Sequence, residues 1–370
     1  MKVVFRADAS LQMGTGHVMR CLTLADALAA QGADCQFICR AHTGNLLDLI
    51  RSRGHTAHTL PVTDYVGANS FATDSTTQAP ALAHSHWLGA TQAEDAASCA
   101  PILGELQPDW LIVDHYALDA RWELALKPHY RQLMVIDDLA DRPHQCDLLL
   151  DQTFGRNGED YSAWVPASCR LLCGSQYALL RPEFAALRPY SLQRRAKPQL
   201  RQLLLTMGGV DKDNATGQIL EALRLCPLPA ENQITVVMGA TAPWLAAVSR
   251  QAQSMPWPTK VMAGVSNMAQ LMADSDLAIG AAGATSWERC CLGLPTIMLV
   301  LADNQHKVAQ GLELAGAVQV IKEPQEIPDR LPPLLNDLVS SSSLLAEMCE
   351  AAARITDGRG AATVIHNMEC

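Results

Sequence analysis

Short apolar runs alternate with amphipathic stretches along the first 60 residues: 3–5, then 18–30, then 35–39, then 45–53. Brief unbroken apolar runs suit buried strands, and apolar residues recurring every third or fourth position suit helices. The pattern predicts strand, helix, strand, helix, and therefore a parallel sheet with helices packed over its faces. Residues 61–86 break the rhythm, being rich in Ser, Thr, Ala and Asn without a helical period, which predicts a long surface loop and a candidate lid. Periodicity returns with a helix over 92–106 and strands at 110–113, 133–136, 148–150 and 171–173.

Residues 177–199 carry Pro182, Pro189 and Pro198 among mixed charges, the usual make-up of a connector between domains. A second series then starts afresh, with strands at 203–206, 234–238, 260–263, 277–280 and 296–299 and helices at 215–224, 241–251, 267–273 and 285–292 between them. The fold class expected is α/β, with two doubly wound Rossmann-like domains, 1–185 and 200–370. Ligands of such sheets sit at the carboxyl ends of the strands, so the two domains are expected to face a central cleft.

Composition narrows the function classes. A chain of 370 residues, 49% hydrophobic, is ample for two cores. No apolar run approaches the ~20 residues that cross a bilayer, and residues 1–6 enter a strand directly, with no export signal. A cytoplasmic protein without membrane partners is expected. The formal charge of −10 argues against a nucleic-acid partner. Basic residues cluster only at Arg194, Arg195, Lys197 and Arg201, read as a solvated connector. Twelve cysteines occur singly or as Cys290-Cys291, never as Cys-x-x-Cys, and read as small buried hydrophobes rather than disulfides or a zinc site. Oligomeric state is left open, a monomer included.

The candidate chemistry lies where strands end. The first strand runs into Arg6, Asp8 and Ser10, then Gly14, Gly16 and His17, with Arg20 on the first turn of the following helix. Glycines at a strand-to-helix turn let backbone N–H groups approach an anionic ligand. Gly-x-Gly-x-x-Gly is not completed, because position 19 is Met, and no acidic residue closes the second strand, so a nicotinamide cofactor is disfavoured. His17 reads either as a general base, suited by the ordinary histidine pKa near 6.5, or as a helix-terminal histidine bonded to its own turn. His42, His55, His58, His84 and His86 read as solvated. Arg6 and Asp8 at the end of a buried strand must pair or meet a ligand, and Asp8 is the candidate for orienting His17. Asp114, His115 and Tyr116 follow the 110–113 strand and point to the site or cap a turn. Asp137 and Asp138 read as an Asx turn with an Arg142 salt bridge in preference to metal ligands. In the second domain Gly208 and Gly209, ahead of 211–214, offer an anion-binding turn. Gly283, Ala284 and Thr285 open a helix that can hold a diphosphate, while Glu288 one turn later accepts ribose hydroxyls, or else is a surface Glu on a packed helix start.

These motifs carry a resemblance. The run 268–278, with 283–288, Gly293-Leu294-Pro295, Asn304 and Gln305, resembles the nucleotide-donor half of GT-B glycosyltransferases such as the undecaprenyl-muramylpentapeptide N-acetylglucosaminyltransferase. Arg6-x-Asp8-x-Ser10 with Gly14-x-Gly16-His17-x-x-Arg20-Cys21, together with 113–116, 136–140 and 177–181, is similar to the UDP-sugar hydrolase family of pseudaminic acid biosynthesis, over nearly the whole chain. The resemblance implies inverting hydrolysis of UDP-2,4-diacetamido-2,4,6-trideoxy-β-L-altropyranose to UDP and the free sugar, without metal or other cofactor. His17 matches the family's base. Tyr116 and Asn304 are the candidates for holding sugar or water, and Arg181 for the diphosphate. Departures are Ala282, where a better phosphate contact is expected, and the long 61–86 segment. A glycosyltransferase of the same fold is the alternative; a non-catalytic sugar-nucleotide sensor would leave His17 beside Asp8 and Tyr116 unexplained.

Overall fold

The computed structural model describes residues 1–62 and 82–369, so the body of the expected lid, 63–81, lies outside the described residues. The chain divides into two compact units, one comprising Met1–Gln152, Arg156–Gly174 and Ala362–Cys370, the other Thr153–Gly155 and Ser175–Ala361. The division falls at Gly174 and Ser175, just ahead of the connector expected at 177–199, and the closing residues of the C-terminal helix Gly360–Glu369 count with the first unit.

The first unit contains β1 (Lys2–Ala7), β2 (Asp34–Arg40), β3 (Thr56–Leu60), β4 (Trp110–Asp114), β5 (Gln132–Ile136), β6 (Leu148–Asp151) and β7 (Arg170–Cys173). All pair in parallel in the order β3-β2-β1-β4-β5-β6-β7. Val3, Val4, Phe5 and Ala7 are wholly buried, as are Leu111 and Ile112, because helices cover both faces and leave no wet side to alternate toward. β3 was not expected: it is an edge strand in which only Leu60 is buried, so its sequence shows no apolar run. β1 and β4 are neighbours, and chain order reverses there, so the loops after them diverge and leave room at the strand ends.

The second unit contains β8 (Gln202–Thr206), β9 (Gln233–Met238), β10 (Thr259–Ala263), β11 (Leu277–Ala281), β12 (Thr296–Leu299) and β13 (Val318–Ile321), ordered β10-β9-β8-β11-β12-β13 and again parallel. Here the reversal falls between β8 and β11. Leu203, Leu205, Ile279 and Ile297 form its core with Leu331, Leu335 and Leu338, which share one face of the helix Ile327–Ser340.

The connector reading of 177–199 is corrected. A helix spans Pro182–Arg195, with Pro182 in the first turn, where a missing N–H costs nothing. Phe184 is wholly buried, and Arg195 is buried too, donating to the carbonyls of Leu292, Met272 and Ser275. Arg194 pairs with Asp276 at 2.7 Å, so only Lys197 and Arg201 of the basic cluster are solvated. The eleven described cysteines are free and nine are buried. No helix among the described residues is long and apolar enough to cross a membrane.

Candidate active site

β1 leads into a turn closed by a bridge between Ser10 and Gly14, where the Ser10 hydroxyl accepts the Met13 N–H at 3.0 Å and Gly14 takes a φ of 78°. That positive φ explains glycine at Gly14, and a Cβ at Gly14 or Gly16 would meet only open space. The helix Gly16–Ala29 follows, and its second residue, His17, is only 8% exposed. Register brings Ala7 of β1 beside Asp114, the last residue of β4. His17 Nδ1 meets Asp114 Oδ1 at 2.6 Å, and Arg20, one turn along, donates twice to the same carboxylate at 2.6 and 2.7 Å. A further Arg20 nitrogen pairs with Asp138 at 2.5 Å, and the Tyr116 hydroxyl donates to Asp138 at 2.8 Å. The Tyr116 ring stands edge-on to His17, with ring centres 4.5 Å apart.

This geometry sets the tautomer of a neutral imidazole. Burial alone would raise the Asp114 carboxyl, but Arg20 and His17 beside it hold it well below the usual carboxylate range. An ionised carboxylate only accepts, so the hydrogen of neutral His17 must sit on Nδ1. Nε2 then carries the lone pair, and it has no hydrogen-bond partner among the described residues. Of the two readings of His17, the structure thus shows a histidine tied to a distant strand rather than to its own turn.

Two assignments change. Asp8 does not orient His17, because it lies wholly buried against Arg6 at 2.7 Å, the Arg40 N–H at 2.7 Å and His115 Nε2 at 3.3 Å. Arg6 is equally buried and forks onto Asp95 at 3.1 and 2.7 Å, with Arg40 and Trp122 Nε1 joining the same carboxylate. Both charges are spent within this network, so neither is presented to a ligand. His115 accepts the Ala117 N–H on Nδ1, leaving Nε2–H toward Asp8, and burial lowers its pKa. His42 lies 3.7 Å from Asp8, His55 is buried against Asp26 at 2.8 Å and His58 meets Gln36 at 2.9 Å, so these three are not simply solvated. His84 packs on Trp87 and Tyr116, ring centres 4.4 and 5.5 Å away; these two aromatic neighbours of the site gave no periodic signal in the sequence. Asp137 accepts the N–H groups of Leu139 and Ala140 and pairs with Arg142 at 2.7 Å, as expected of an Asx turn. Among the described residues no cluster of His, Cys, Asp or Glu is placed to hold a metal ion.

In the second unit β11 ends in Ala282-Gly283-Ala284 before the helix Thr285–Cys291. Among the described residues the N–H groups of Gly283, Ala284 and Thr285 take no backbone partner, and a Cβ on Gly283 would meet only open space. Glu288 is largely buried with Arg181 at 4.0 Å as its nearest cation, while Arg181 itself pairs with Glu183 at 2.9 Å. Burial pushes the Glu288 carboxyl up to about 7, against the pull of Arg181 and Arg289. Such a carboxylate lacks the donors it would need to be at ease as an anion. Gly208, with φ 87°, opens the turn after β8; the start of the next helix is capped within the chain, the Asp211 carboxylate accepting the N–H groups of Ala215 and Thr216 at 2.8 and 3.0 Å. Gly209 completes that turn. Beyond β12, Asn304 is exposed, and Gln305 accepts the Leu301 N–H at 2.9 Å.

Two doubly wound parallel sheets with these strand orders define the GT-B class of fold. MurG of Acinetobacter baumannii superposes with a TM-score of 0.67 at 16% identity, covering 100% of this chain and 99% of that one. The spinosyn rhamnosyltransferase SpnG complexed with thymidine diphosphate gives 0.61 at 14% identity, covering both chains fully at 100%. Residues 203–364 match the glycosyltransferase family 28 C-terminal domain. More particularly, the chain is 26% identical over 316 residues to the UDP-2,4-diacetamido-2,4,6-trideoxy-beta-L-altropyranose hydrolase of Campylobacter jejuni, covering 85% of this chain and 97% of that protein. It is also 28% identical over 199 residues to the spore coat polysaccharide biosynthesis protein SpsG of Bacillus subtilis, covering 53% of this chain and 57% of that one.

Proposed function

We propose that the protein is a UDP-sugar enzyme that hydrolyses UDP-2,4-diacetamido-2,4,6-trideoxy-β-L-altropyranose to UDP and 2,4-diacetamido-2,4,6-trideoxy-L-altropyranose, inverting the anomeric carbon. The observation that carries the reading is the His17–Asp114 pair, which leaves the Nε2 lone pair free at the β1 strand end. Water bonds to the anomeric carbon as it gives a proton to Nε2, and the bond from that carbon to the diphosphate breaks with its electron pair leaving on UDP. UDP is a good leaving group, so the acid carboxyl of ordinary glycosidases is not needed. Tyr116 and Asn304 contact the sugar or the water, and Gly14 and Gly16 give them backbone clearance. Arg20, Asp114, Asp8, Arg6 and His115 act from beneath, by position.

On the second unit Glu288 accepts the ribose hydroxyls, and Arg181 with the N–H groups of Gly283, Ala284 and Thr285 neutralises the diphosphate. Gly208, Gly209 and Gln305 belong to the same carboxyl edge of the sheet. Assaying UDP release from a panel of UDP-sugars, with NMR of the first-formed anomer, tests the reading. UDP release in water alone, undiminished by exhaustive EDTA, is expected; retained configuration or a magnesium-restored loss would overturn it. The family 28 match favours a second reading, transfer to an acceptor hydroxyl, which predicts UDP release only when an acceptor is supplied.

Glu288 adds a pH test. Ribose hydroxyls donate to the ionised carboxylate, so nucleoside binding must first deprotonate a group titrating at about 7. Affinity therefore falls as pH drops through that value. Calorimetry with uridine, which has no titrating phosphate, should show this loss in the wild type and a weak, flat profile in Glu288→Gln, lower by about 1–3 kcal/mol above neutrality. A wild-type profile without pH dependence would remove Glu288 from the ribose.

A further inference from the structure

We infer that Arg289 is the fixed countercharge of the bound diphosphate, held beneath the β11 turn, and that it commits the Thr285 hydroxyl to donating to a phosphate oxygen. The inference rests on the nucleotide half of the reading above and adds to it a positioning residue that acts through Thr285. Arg289 is fully buried, one turn along the helix Thr285–Cys291. Its fork donates to the Ala281 carbonyl at 2.7 Å, the Thr285 hydroxyl at 3.2 Å and the Ser286 hydroxyl at 3.3 Å, and its Nε has no partner. A Cβ on Gly280 would collide with the same fork, so the glycine inside β11 makes room for it.

What sets Arg289 apart is the lack of a carboxylate. Arg6, Arg20, Arg142 and Arg156 are also buried, and each lies within 2.7 Å of an aspartate. Arg289 forms no ion pair among the described residues, and burial pulls its pKa down to about 10, leaving it charged at neutral pH without a counterion. Arg195 is lowered as far, but it lies near Asp276 and Asp274 and donates to the carbonyls of Leu292, Met272 and Ser275, which accounts for it as a brace between segments. A buried cation with no anion of its own is costly, and an anion arriving at the turn above it lowers that cost. Thr285, partly exposed at the helix start, transmits the charge. Its oxygen accepts from Arg289, so its hydrogen, which has no acceptor among the described residues, is polarised toward a ligand.

UDP and uridine differ only in the diphosphate, so their affinity ratio reads this charge directly. Calorimetry with both ligands is run on wild type, Arg289→Gln, Thr285→Val and Thr285→Ser at about pH 9, where Glu288, titrating at about 7, is ionised with or without Arg289. Arg289→Gln keeps side-chain donors and removes the charge, and it should weaken UDP by about 10- to 150-fold while leaving uridine unchanged. Thr285→Val should likewise weaken UDP alone, and Thr285→Ser should retain the wild-type affinity. Equal losses of UDP and uridine would mean a merely structural role and would overturn the inference, as would unchanged UDP affinity in either Arg289→Gln or Thr285→Val. Should Arg289→Gln fail to fold, the valine and serine variants decide: a UDP loss confined to valine supports the inference, and equal UDP affinities overturn it. A wild type that binds neither ligand would remove the nucleotide site and this inference with it. One that binds UDP but releases it from no UDP-sugar would end the hydrolase reading and leave the countercharge standing.

Discussion

Replacing His17 with alanine or asparagine is expected to lower kcat by about 10² to 10⁴ while leaving UDP affinity unaltered. The size follows from what is removed. Water is a poor nucleophile at neutral pH, and Nε2 of His17 is a proton acceptor that the described geometry leaves without a partner. Because the nucleotide is proposed to be held by Glu288 and the β11 turn, a base deletion should reach the chemical step and spare binding. Steady-state rates with calorimetry on the same preparation check both halves. A His17→Ala protein turning over near the wild-type rate would end the proposed mechanism and reopen transfer to an acceptor. A fall in UDP affinity matching the fall in rate would mean that the substitution had disturbed more than a base.

Asp114→Asn should be nearly as damaging, although Asp114 is wholly buried and touches no substrate. Two physical losses combine. The amide can turn its NH₂ toward Nδ1, forcing the histidine hydrogen onto Nε2 and removing the lone pair; and the imidazolium formed on proton uptake loses its countercharge. Together these are expected to cost about 10² to 10⁴ in kcat. Arg20 retains Asp138 but loses a doubly bonded partner, and breaking a buried pair costs about 3 kcal/mol or more of stability. A lowered Tm with folded, UDP-binding protein and depressed turnover is the expected combination. Asp8→Asn serves as the contrast: it should lower Tm through Arg6 and leave the residual turnover of the folded enzyme largely intact. If Asp8→Asn abolished turnover and Asp114→Asn did not, the assignment of the orienting carboxylate would be reversed.

The contrast between these two acids shows where sequence reading stops. Both follow apolar strand runs, and the sequence offers Asp8 as the candidate for orienting His17. Proximity along the chain favours Asp8, nine residues from His17, over Asp114, which is 97 away. The register of β1 on β4 reverses that preference by placing Ala7 beside Asp114, while Asp8 turns to the β2 side, where Arg40 donates its N–H. Asp95 was invisible as a network member for the same reason, since its partners Arg6 and Arg40 lie 89 and 55 residues away. The start of the helix Ala215–Leu223 differs in that Asp211 is local, but only its backbone, at φ 46°, shows that its carboxylate folds back onto the helix N–H groups.

Amphipathic periodicity and unbroken apolar runs determined from the sequence alone that two parallel α/β sheets form, because burial on both faces leaves a signature in every central strand. Glycines at the β1 and β11 ends likewise announced strand-to-helix turns, Gly14 because few other residues adopt its positive φ at so little cost. Edge strand β3 and the helix Pro182–Arg195 escaped, one for want of buried residues and the other because prolines mark helix starts as well as linkers. The tertiary structure alone decided which charges cancel one another and which nitrogen of His17 stays free. It also decided that the Trp87 ring stands edge-on to His17, with His84 packed on Trp87. Those are facts of strand pairing and packing between segments far apart in the chain, and ion pairs and ring contacts depend on distances of a few ångströms that no local pattern encodes.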